Sequence, residues 1–298
     1  MGEEFHIVSD GSCDLPPQLA EEKGVTVVPF YVSFDGVHYQ KEIEEIGIRE
    51  FYQRMVDEPG VYPKSSMPST QDYIDVFLPL VREGTPVICI CITTKFSGSM
   101  QSAVNARNMV LEEYPQAQIT VVDATVNTVL QGLYVLEAVR LQESGAGYQE
   151  TVKRLEEIKS TGRIFFTVGN MEYLQHGGRI GKVAGIAGNI LKIKPLITLK
   201  QGEIFPSGIV RSRRRSMEKI IALLKEYLDG QQESAEQFSV VVGYGYDYEE
   251  AVAFRGMVLE ALGKSYGLQE LPIFQIGATI GVHTGPHPLG VGTIRKAL

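Results

Sequence analysis

The sequence has 298 residues, of which 44% are hydrophobic and 21% charged, and it carries a net charge of −8. This length favours two domains, and the acidic balance argues against general binding to nucleic acid. The first ten residues contain neither the basic nor the apolar part of a secretory signal, and no apolar run approaches the ~18 residues that cross a bilayer, so we expect a cytoplasmic protein.

Strands and helices are predicted to alternate through the first half of the chain. The predicted strands are Phe5–Ser9, Val25–Phe34, Val37–Gln40, Val87–Ile92 and Ile119–Val122. The predicted helices begin near Pro16 and after Val87–Ile92, and otherwise span Ile48–Val56, Gln71–Arg82, Thr128–Glu143 and Tyr148–Lys159. This alternation is typical of a doubly wound parallel sheet, so we expect residues 1–161 to form an amino-terminal α/β domain.

The strand Val87–Ile92 leads into a cluster of hydroxyl side chains. It is apolar throughout, as in a strand buried on both faces of a parallel sheet, and T-T-K-F-S-G-S follows it. Open α/β sheets bind ligands at the carboxyl ends of their strands. Thr94 and Ser97 can each donate a hydrogen bond there, and Gly98 permits close backbone approach, which predicts a carboxylate or phosphate site. The alternative is that Ser97 only caps the helix that follows.

A second hydroxyl cluster, P-K-S-S-M-P-S-T, lies in a proline-bounded loop before the helix Gln71–Arg82. Ser69 or Thr70 is expected to cap that helix, because serine and threonine are favoured at helix N-termini. Ser65 and Ser66 lie too far upstream to cap it. They are therefore candidate ligand contacts.

The second half is predicted to form a carboxy-terminal α/β domain with a mixed sheet over residues 162–298. The predicted strands are Arg163–Val168, Leu196–Lys200, Glu203–Val210, Phe238–Gly243 and Leu271–Ile276. The predicted helices are Met171–Gln175, Lys182–Leu191, Ser216–Leu228 and Glu249–Gly263. The pair Gln201-Gly202 predicts an antiparallel hairpin between two of these strands.

Positive charge is concentrated in this second half. Between Arg179 and Lys219, ten Lys or Arg residues accompany two acids, a net charge of +8 within a chain of −8. That unevenness suits one anionic partner better than bulk nucleic acid. Cations at a helix start oppose the helix dipole, so Arg211–Arg215 is interpreted either as a docking or anion contact or as a solvated helix start.

The last motif is G-V-H-T-G-P, near the carboxyl end. Glycine and proline on either side predict that His283 projects from a loop, with Thr284 next to it. A lone histidine is more often structural than functional. Both interpretations of His283 stay open on these grounds.

Six stretches in order along the chain resemble the DegV family, bacterial fatty-acid-binding proteins that present an acyl chain to a separate kinase. They are D-G-S-C-D-L-P, K-S-S-M-P-S, T-T-K-F-S-G-S-M-Q-S-A, M-E-Y-L-Q-H-G-G-R-I-G, N-I-L-K-I-K-P and H-T-G-P. Several positions depart from the family pattern: Gly11 replaces a hydroxyl residue, Met67 replaces glutamine, Thr70 replaces proline, and His287-Pro288 also differ. The resemblance implies a two-domain α/β protein that encloses a long-chain fatty acid between its domains.

The resemblance also implies roles for particular residues. The fatty acid carboxylate would bind hydroxyls of the amino-terminal domain, and the basic face would engage the kinase or the phosphate. The implied ligand contacts are Ser65, Ser66, Thr94, Ser97, Gly98, His283 and Thr284, and the implied partner or phosphate contacts are Arg179, Arg211 and Arg213. No cofactor is expected beyond the fatty acid itself, and transient contact with a membrane surface for lipid exchange is left open.

An enzyme acting on its own is not indicated by the motifs. There is no G-x-S-x-G, no H-E-x-x-H and no P-loop, and the three cysteines are not spaced for zinc. Cys89 and Cys91 are expected to be buried thiols on one face of a strand. The alternative function is an acyl hydrolase or transferase with Ser97 as nucleophile and His283 as base. A DNA-binding regulator using R-S-R-R-R is disfavoured by the net negative charge.

Overall fold

We analysed a computed structural model of the chain, which describes residues 4–186, 193–268 and 271–298. The strands are β1 (His6–Asp10), β2 (Val25–Val28), β3 (Tyr31–Ser33), β4 (Gln40–Lys41), β5 (Lys64–Ser66), β6 (Val87–Cys91), β7 (Ile119–Asp123), β8 (Arg163–Thr167), β9 (Lys194–Lys200), β10 (Glu203–Val210), β11 (Phe238–Tyr244), β12 (Ile273–Gln275) and β13 (Leu289–Arg295). The α-helices are α1 (Pro17–Glu22), α2 (Ile48–Asp57), α3 (Thr70–Arg82), α4 (Ser99–Glu113), α5 (Thr128–Glu143), α6 (Tyr148–Ile158), α7 (Glu172–His176), α8 (Arg213–Asp229), α9 (Tyr248–Leu262) and α10 (Ala278–Thr284). Short 3-10 helices span Gly11–Cys13, Lys159–Thr161, Gly181–Ile186 and Ala235–Gln237.

The first sheet is parallel throughout, in the order β2-β1-β6-β7. Alternate residues of its strands enter two different cores, as the pleat requires. Val8 and Cys89 pack in the core that contains α3 and α4, whereas Ile7 and Ile88 pack in the core that contains α5. Helices therefore cover both faces, and the predicted doubly wound parallel sheet is confirmed. The cysteines are buried and free, as expected.

The second sheet has six strands in the order β10-β9-β8-β13-β11-β12. Its neighbours pair antiparallel except for β11 and β12, so the predicted mixed sheet is confirmed. Gln201 and Gly202 both have positive φ, 52° and 81°, in the turn of the predicted hairpin. Helices α8 and α9 cover one face of this sheet. Its interior strand β13 was not predicted, because the glycines of L-G-V-G obscure the apolar pattern.

Helix α5, predicted with the correct bounds, lies between the two sheets. Twelve of its 16 residues are buried, on every side of the helix. Leu130 and Val135 belong to a core that also contains Ile88 of the first sheet and Val241 of the second. A Cβ atom on Gly132 would lie 2.6 Å from the carbonyl oxygen of Cys13, so glycine is needed for this close approach. The helix therefore sets the spacing between the sheets.

One predicted strand is wrong. Val25–Phe34 is not continuous but divides into β2, in the parallel sheet, and β3, in a small antiparallel sheet of order β4-β3-β5. Proline at position 29 cannot donate to a sheet, and the backbone N–H of Phe30 instead lies 3.3 Å from the Glu42 carboxylate. The strand predicted at Val37–Gln40 is also shorter and later, at β4.

Other predictions concern helix caps, helix ends and the domain boundary. Ser69 caps α3, as expected, and forms a capping box with Asp72, whereas the N-cap of α1 is Pro16. The helix predicted at Lys182–Leu191 runs into residues 187–192, which lie outside the described part of the chain. The sheets change from parallel to mixed after Thr161, where we place the domain boundary, and that boundary stays a prediction. Of the described helices, none combines the length and apolarity needed to cross a bilayer.

Candidate functional site

A cavity of about 310 Å³ lies between the amino-terminal half and the mixed sheet. This volume falls within the range of about 300–1,000 Å³ typical of small-molecule sites. Most of the wall is apolar, with contributions from both halves of the chain. Its apolar members include Phe30, Ile92, Val129, Ile164, Phe166, Leu199, Ile204, Ile276, Ile280 and Leu289.

Polar side chains from both halves meet in the wall of this cavity. Ser65 on β5 and His283 on α10 lie with Oγ and Nε2 3.3 Å apart. Burial, and secondarily the nearby Arg179 guanidinium, lowers the pKa of His283 to about 4. The imidazole is therefore neutral near pH 7. Its Nδ1 atom is buried and has no hydrogen-bond partner among the described residues.

Ser97 contributes a second hydroxyl to the cavity wall. It lies in the turn between β6 and α4, at the carboxyl end of the parallel sheet. The backbone N–H of Ser99 donates to Ser97 Oγ over 3.1 Å, so the Ser97 oxygen acts as an acceptor and its proton can be donated to a ligand. The N-cap of α4 is Gly98, so Ser97 lies just before the capping position.

A groove of about 550 Å³ adjoins the cavity and shares Ser97, Gly98 and Arg179 with it. Lys95 and Lys182 also line it. The Arg179 guanidinium donates to the carbonyl oxygens of Phe96 and Gly177, over 3.1 and 2.9 Å. These bonds hold a cation where the cavity meets the groove. Among the described residues, no cluster of three His, Cys, Asp or Glu side chains could hold a metal ion.

The sequence and structure were compared with those of known proteins. A family model described as "Uncharacterised protein, DegV family" matches residues 4–296. The chain belongs to the DegV family. A DegV domain-containing protein of Caldanaerobacter subterraneus is 31% identical over 289 residues, which cover 97% of this chain and 98% of that protein.

Two solved structures are similar to this chain along nearly their whole length. A stearic acid-binding protein from Eubacterium ventriosum is 44% identical, with a TM-score of 0.92, and the match covers 98% of this chain and 99% of that one. A fatty-acid-binding DegV family protein from Thermus thermophilus is 30% identical, with a TM-score of 0.87 and the same coverage. These likenesses agree with the two-sheet α/β architecture described above.

Several residues predicted from the DegV resemblance have other partners. Thr94 donates to Asp123 over 2.8 Å and lines the groove. Thr284 lines the cavity, but its hydroxyl donates to the Ile280 carbonyl oxygen over 3.1 Å. Ser66 lines the cavity and is exposed. The prediction that these residues contact a ligand therefore rests mainly on their position.

The structure does not bring Arg211 and Arg213 to the cavity or to the groove. Helix α8 begins at Arg213, three residues earlier than predicted, with Ser212 as its N-cap. Arg213 forms a bidentate pair with Glu250, over 2.8 and 2.6 Å. This pairing offsets the unfavourable helix dipole at Arg213, and Arg211 stays exposed.

The expectation that His283 projects from a loop is wrong. His283 lies in the last turn of α10, a seven-residue helix that ends before Gly285. Gly281 in the helix and Gly285 directly after it are required for packing: a Cβ atom on Gly281 would lie 2.8 Å from the Tyr52 hydroxyl, and one on Gly285 would lie 2.5 Å from the Tyr173 ring. Tertiary packing therefore overrides the local glycine signal.

Sequence reasoning missed the role of Asp10 as a support for the site. This carboxylate, buried at the carboxyl end of β1, accepts hydrogen bonds from the Ile92 backbone and the Ser99 hydroxyl, over 2.9 and 2.7 Å. Those residues flank the turn that carries Ser97. An acid directly after an apolar strand in a parallel sheet was the available signal.

Proposed function

We propose that this chain binds a long-chain fatty acid in the cavity and presents its carboxylate to a separate kinase, which forms an acyl phosphate. The observation that supports it most is a cavity whose wall is mostly apolar and also contains Ser65, Ser97 and a neutral His283. Similarity to a stearic acid-binding protein and to a fatty-acid-binding DegV family protein supports this proposal. A cytoplasmic location belongs to the same proposal, because a kinase needs ATP.

The polar part of the cavity wall suits a carboxylate that has to react. Burying a carboxylate is costly unless hydrogen bonds satisfy it, and hydroxyls of Ser65 and Ser97 can supply them. They do so without the strong Coulomb attraction of a bidentate arginine, because two donors of Arg179 are already used by backbone carbonyls. Carboxylate oxygens held in this way remain able to attack a phosphoryl group.

The apolar wall suits the acyl tail. Burying ~16 methylene groups at about 0.8 kcal/mol each sets an upper bound near ~13 kcal/mol for the tail. The tail then supplies affinity, while the hydroxyl and imidazole groups orient the head. The groove lined by Lys95, Arg179 and Lys182 would accept the incoming phosphate, and Arg211 and Arg213 stay predicted partner contacts.

Loss of the Ser97 hydroxyl is expected to weaken fatty acid binding by about tenfold, the effect of one hydrogen bond to a charged group. The test is mass spectrometry of the organic extract from protein purified out of a bacterial host, followed by titration of delipidated protein with hexadecanoate. We expect near-stoichiometric fatty acid in the wild type and less in Ser97→Ala.

A matched control is Ser160→Ala, which alters an exposed serine outside the cavity. This variant should retain the wild-type lipid content. An empty wild-type extract, together with no uptake of hexadecanoate on incubation, would contradict the proposed function.

An acyl hydrolase is poorly supported by the described residues. The imidazole of His283 is next to Ser65, and no hydrogen bond joins it to Ser97. Its Nδ1 atom lacks the acidic partner that orients a catalytic histidine. Turnover of an acyl ester, with covalent labelling of Ser97 by a fluorophosphonate, would revive this alternative.

Charge reversal at Arg179 is expected to separate phosphate transfer from lipid binding. Arg179→Glu should lower the rate of acyl phosphate formation by at least about tenfold, because it places a negative charge beside the developing phosphate. Binding of hexadecanoate should change less. The measurement is transfer of labelled phosphate from ATP, using the fatty acid kinase encoded by the same genome. Arg82→Glu, on α3 and outside the groove, controls for net charge, and equal rates in both variants would contradict the proposed role.

A further inference from the structure

We propose that Glu42 positions His283 by fixing the amino-terminal turn of α10, and that Gly11 is the residue that gives Glu42 the space to do so. Glu42 lies just after β4, and His283 lies in α10. The contact of Glu42 with the first turn of α10 therefore joins the two halves of the chain. The role in ligand binding rests on the proposed function, whereas the effect on the histidine does not.

Glu42 is a buried carboxylate whose two oxygens have separate acceptor roles. It is 1% exposed. One oxygen accepts the backbone N–H of Thr279, in the first turn of α10, over 3.0 Å. The other accepts the backbone N–H of Phe30 over 3.3 Å. No ion pair among the described residues includes Glu42, so this buried group is held by backbone N–H donors rather than by a cation.

Gly11 leaves no room for any larger residue beside Glu42. A Cβ atom at position 11 would lie 2.2 Å from Glu42 Oε1 and 3.2 Å from the backbone nitrogen of Phe30. Such an atom would have to displace the carboxylate, because the second neighbour is backbone. Glycine at position 11 and the buried carboxylate of Glu42 therefore depend on each other.

Other close contacts restrict the same end of α10. A Cβ atom on Gly277 would lie 2.3 Å from Asp14 Oδ1 and 3.6 Å from Glu42 Oε2. The backbone is also strained next to Glu42, since the β-branched residue Ile43 has φ of 72°.

His283 lies one helical turn after Thr279, the residue of α10 that Glu42 contacts. Thr279 and His283 are four residues apart, so they lie on the same face, and both line the cavity. A shift of the first turn would therefore change the 3.3 Å separation between His283 Nε2 and Ser65 Oγ. Glu42 itself does not line the cavity, so it is a positioning residue.

The test compares two amphiphiles with the same tail in delipidated protein. Gly11→Ala and Glu42→Gln are each expected to weaken binding of hexadecanoate by about tenfold, because a displaced His283 would lose one hydrogen bond to the charged head group. Glutamine offers only one acceptor oxygen where the carboxylate offers two. Binding of hexadecan-1-ol, which lacks the carboxylate, should change less than about twofold. The double variant should bind hexadecanoate no more weakly than either single variant, because both substitutions disturb the same contacts of the Glu42 carboxylate.

A second readout needs no lipid. The imidazole resonances of His283, assigned with His283→Gln, should shift in both single variants and not in Gly256→Ala, whose added Cβ would meet nothing within 4 Å. Equal losses for the acid and the alcohol, additive effects in the double variant, or an unmoved His283 resonance would each overturn the inference. If the wild type binds neither amphiphile, the proposed function fails while the resonances still decide the role of Glu42.

Discussion

Replacing Asp10 with alanine is expected to lower the free energy of unfolding by about 3–5 kcal/mol. Asp10 is fully buried, and its carboxylate accepts hydrogen bonds from four groups. These are the Ile92 backbone at 2.9 Å, the Ser99 hydroxyl at 2.7 Å, the Ser12 hydroxyl at 2.7 Å and the Gln131 amide at 2.8 Å. The alanine variant would leave these donors buried without their acceptor, which costs more than the bonds contributed.

The measurement is the midpoint of urea denaturation, followed by circular dichroism. The free energy of unfolding should fall less in Asp10→Asn than in Asp10→Ala, since asparagine retains one acceptor oxygen. Asp75→Ala is the control, because Asp75 is exposed on α3 and accepts one bond from Gln71. It should change the free energy of unfolding by no more than about 0.5 kcal/mol. A similar small loss for Asp10→Ala would show that the buried carboxylate does not stabilise the turn around Ser97.

The second large effect is a dependence of stability on pH that comes from His283. Burial lowers the pKa of His283 to about 4 in the folded chain, from 6.5 when the group is unperturbed. Between these values the unfolded chain binds about one more proton, so the free energy of unfolding falls as pH drops from 6.5 to 4. The difference in pKa corresponds to a loss of about 3 kcal/mol.

The test compares delipidated wild type with His283→Gln across the range from pH 7.5 to 4. The stability of the wild type relative to the variant should decrease as the pH falls through this range. Comparison with the variant is necessary because burial raises the pKa values of Asp10, Asp14 and Glu42, whose contributions have the opposite sign. A difference that stays constant with pH would contradict the lowered pKa of His283.

Local signals in the sequence were sufficient for the elements that pack in a regular way. The apolar run at Val87–Ile92 specified β6, and S-T-Q-D specified the capping box formed by Ser69 and Asp72. Ser65 was predicted as a site residue because it lies too far upstream to cap a helix. Ser97 was predicted because it follows the carboxyl end of a parallel strand, where ligands bind. In these cases the residues that decide the structure are neighbours in the chain.

Glu42 and His283 show why the rest was not predictable. In K-E-I-E-E, Glu42 looks like one member of a solvated charged run, and only contact with Thr279, 237 residues away, makes it a buried acceptor. His283 sits among glycines that ordinarily favour a loop, yet these glycines allow α10 to pack against Tyr52 and Tyr173. Such positions depend on pairs of distant residues, which a single sequence does not reveal.

The burial of α5 on every side has a consequence for how the chain holds together. A helix shared by two sheets gives them one common core in addition to the separate core on the outer face of each sheet, so we expect the halves on either side of the predicted boundary at Thr161 to unfold together. Val129 of this helix lines the cavity. A molecule bound there would stabilise both halves at once, because it would bind only where both are folded. Occupancy of the cavity and integrity of the whole protein are thus thermodynamically linked.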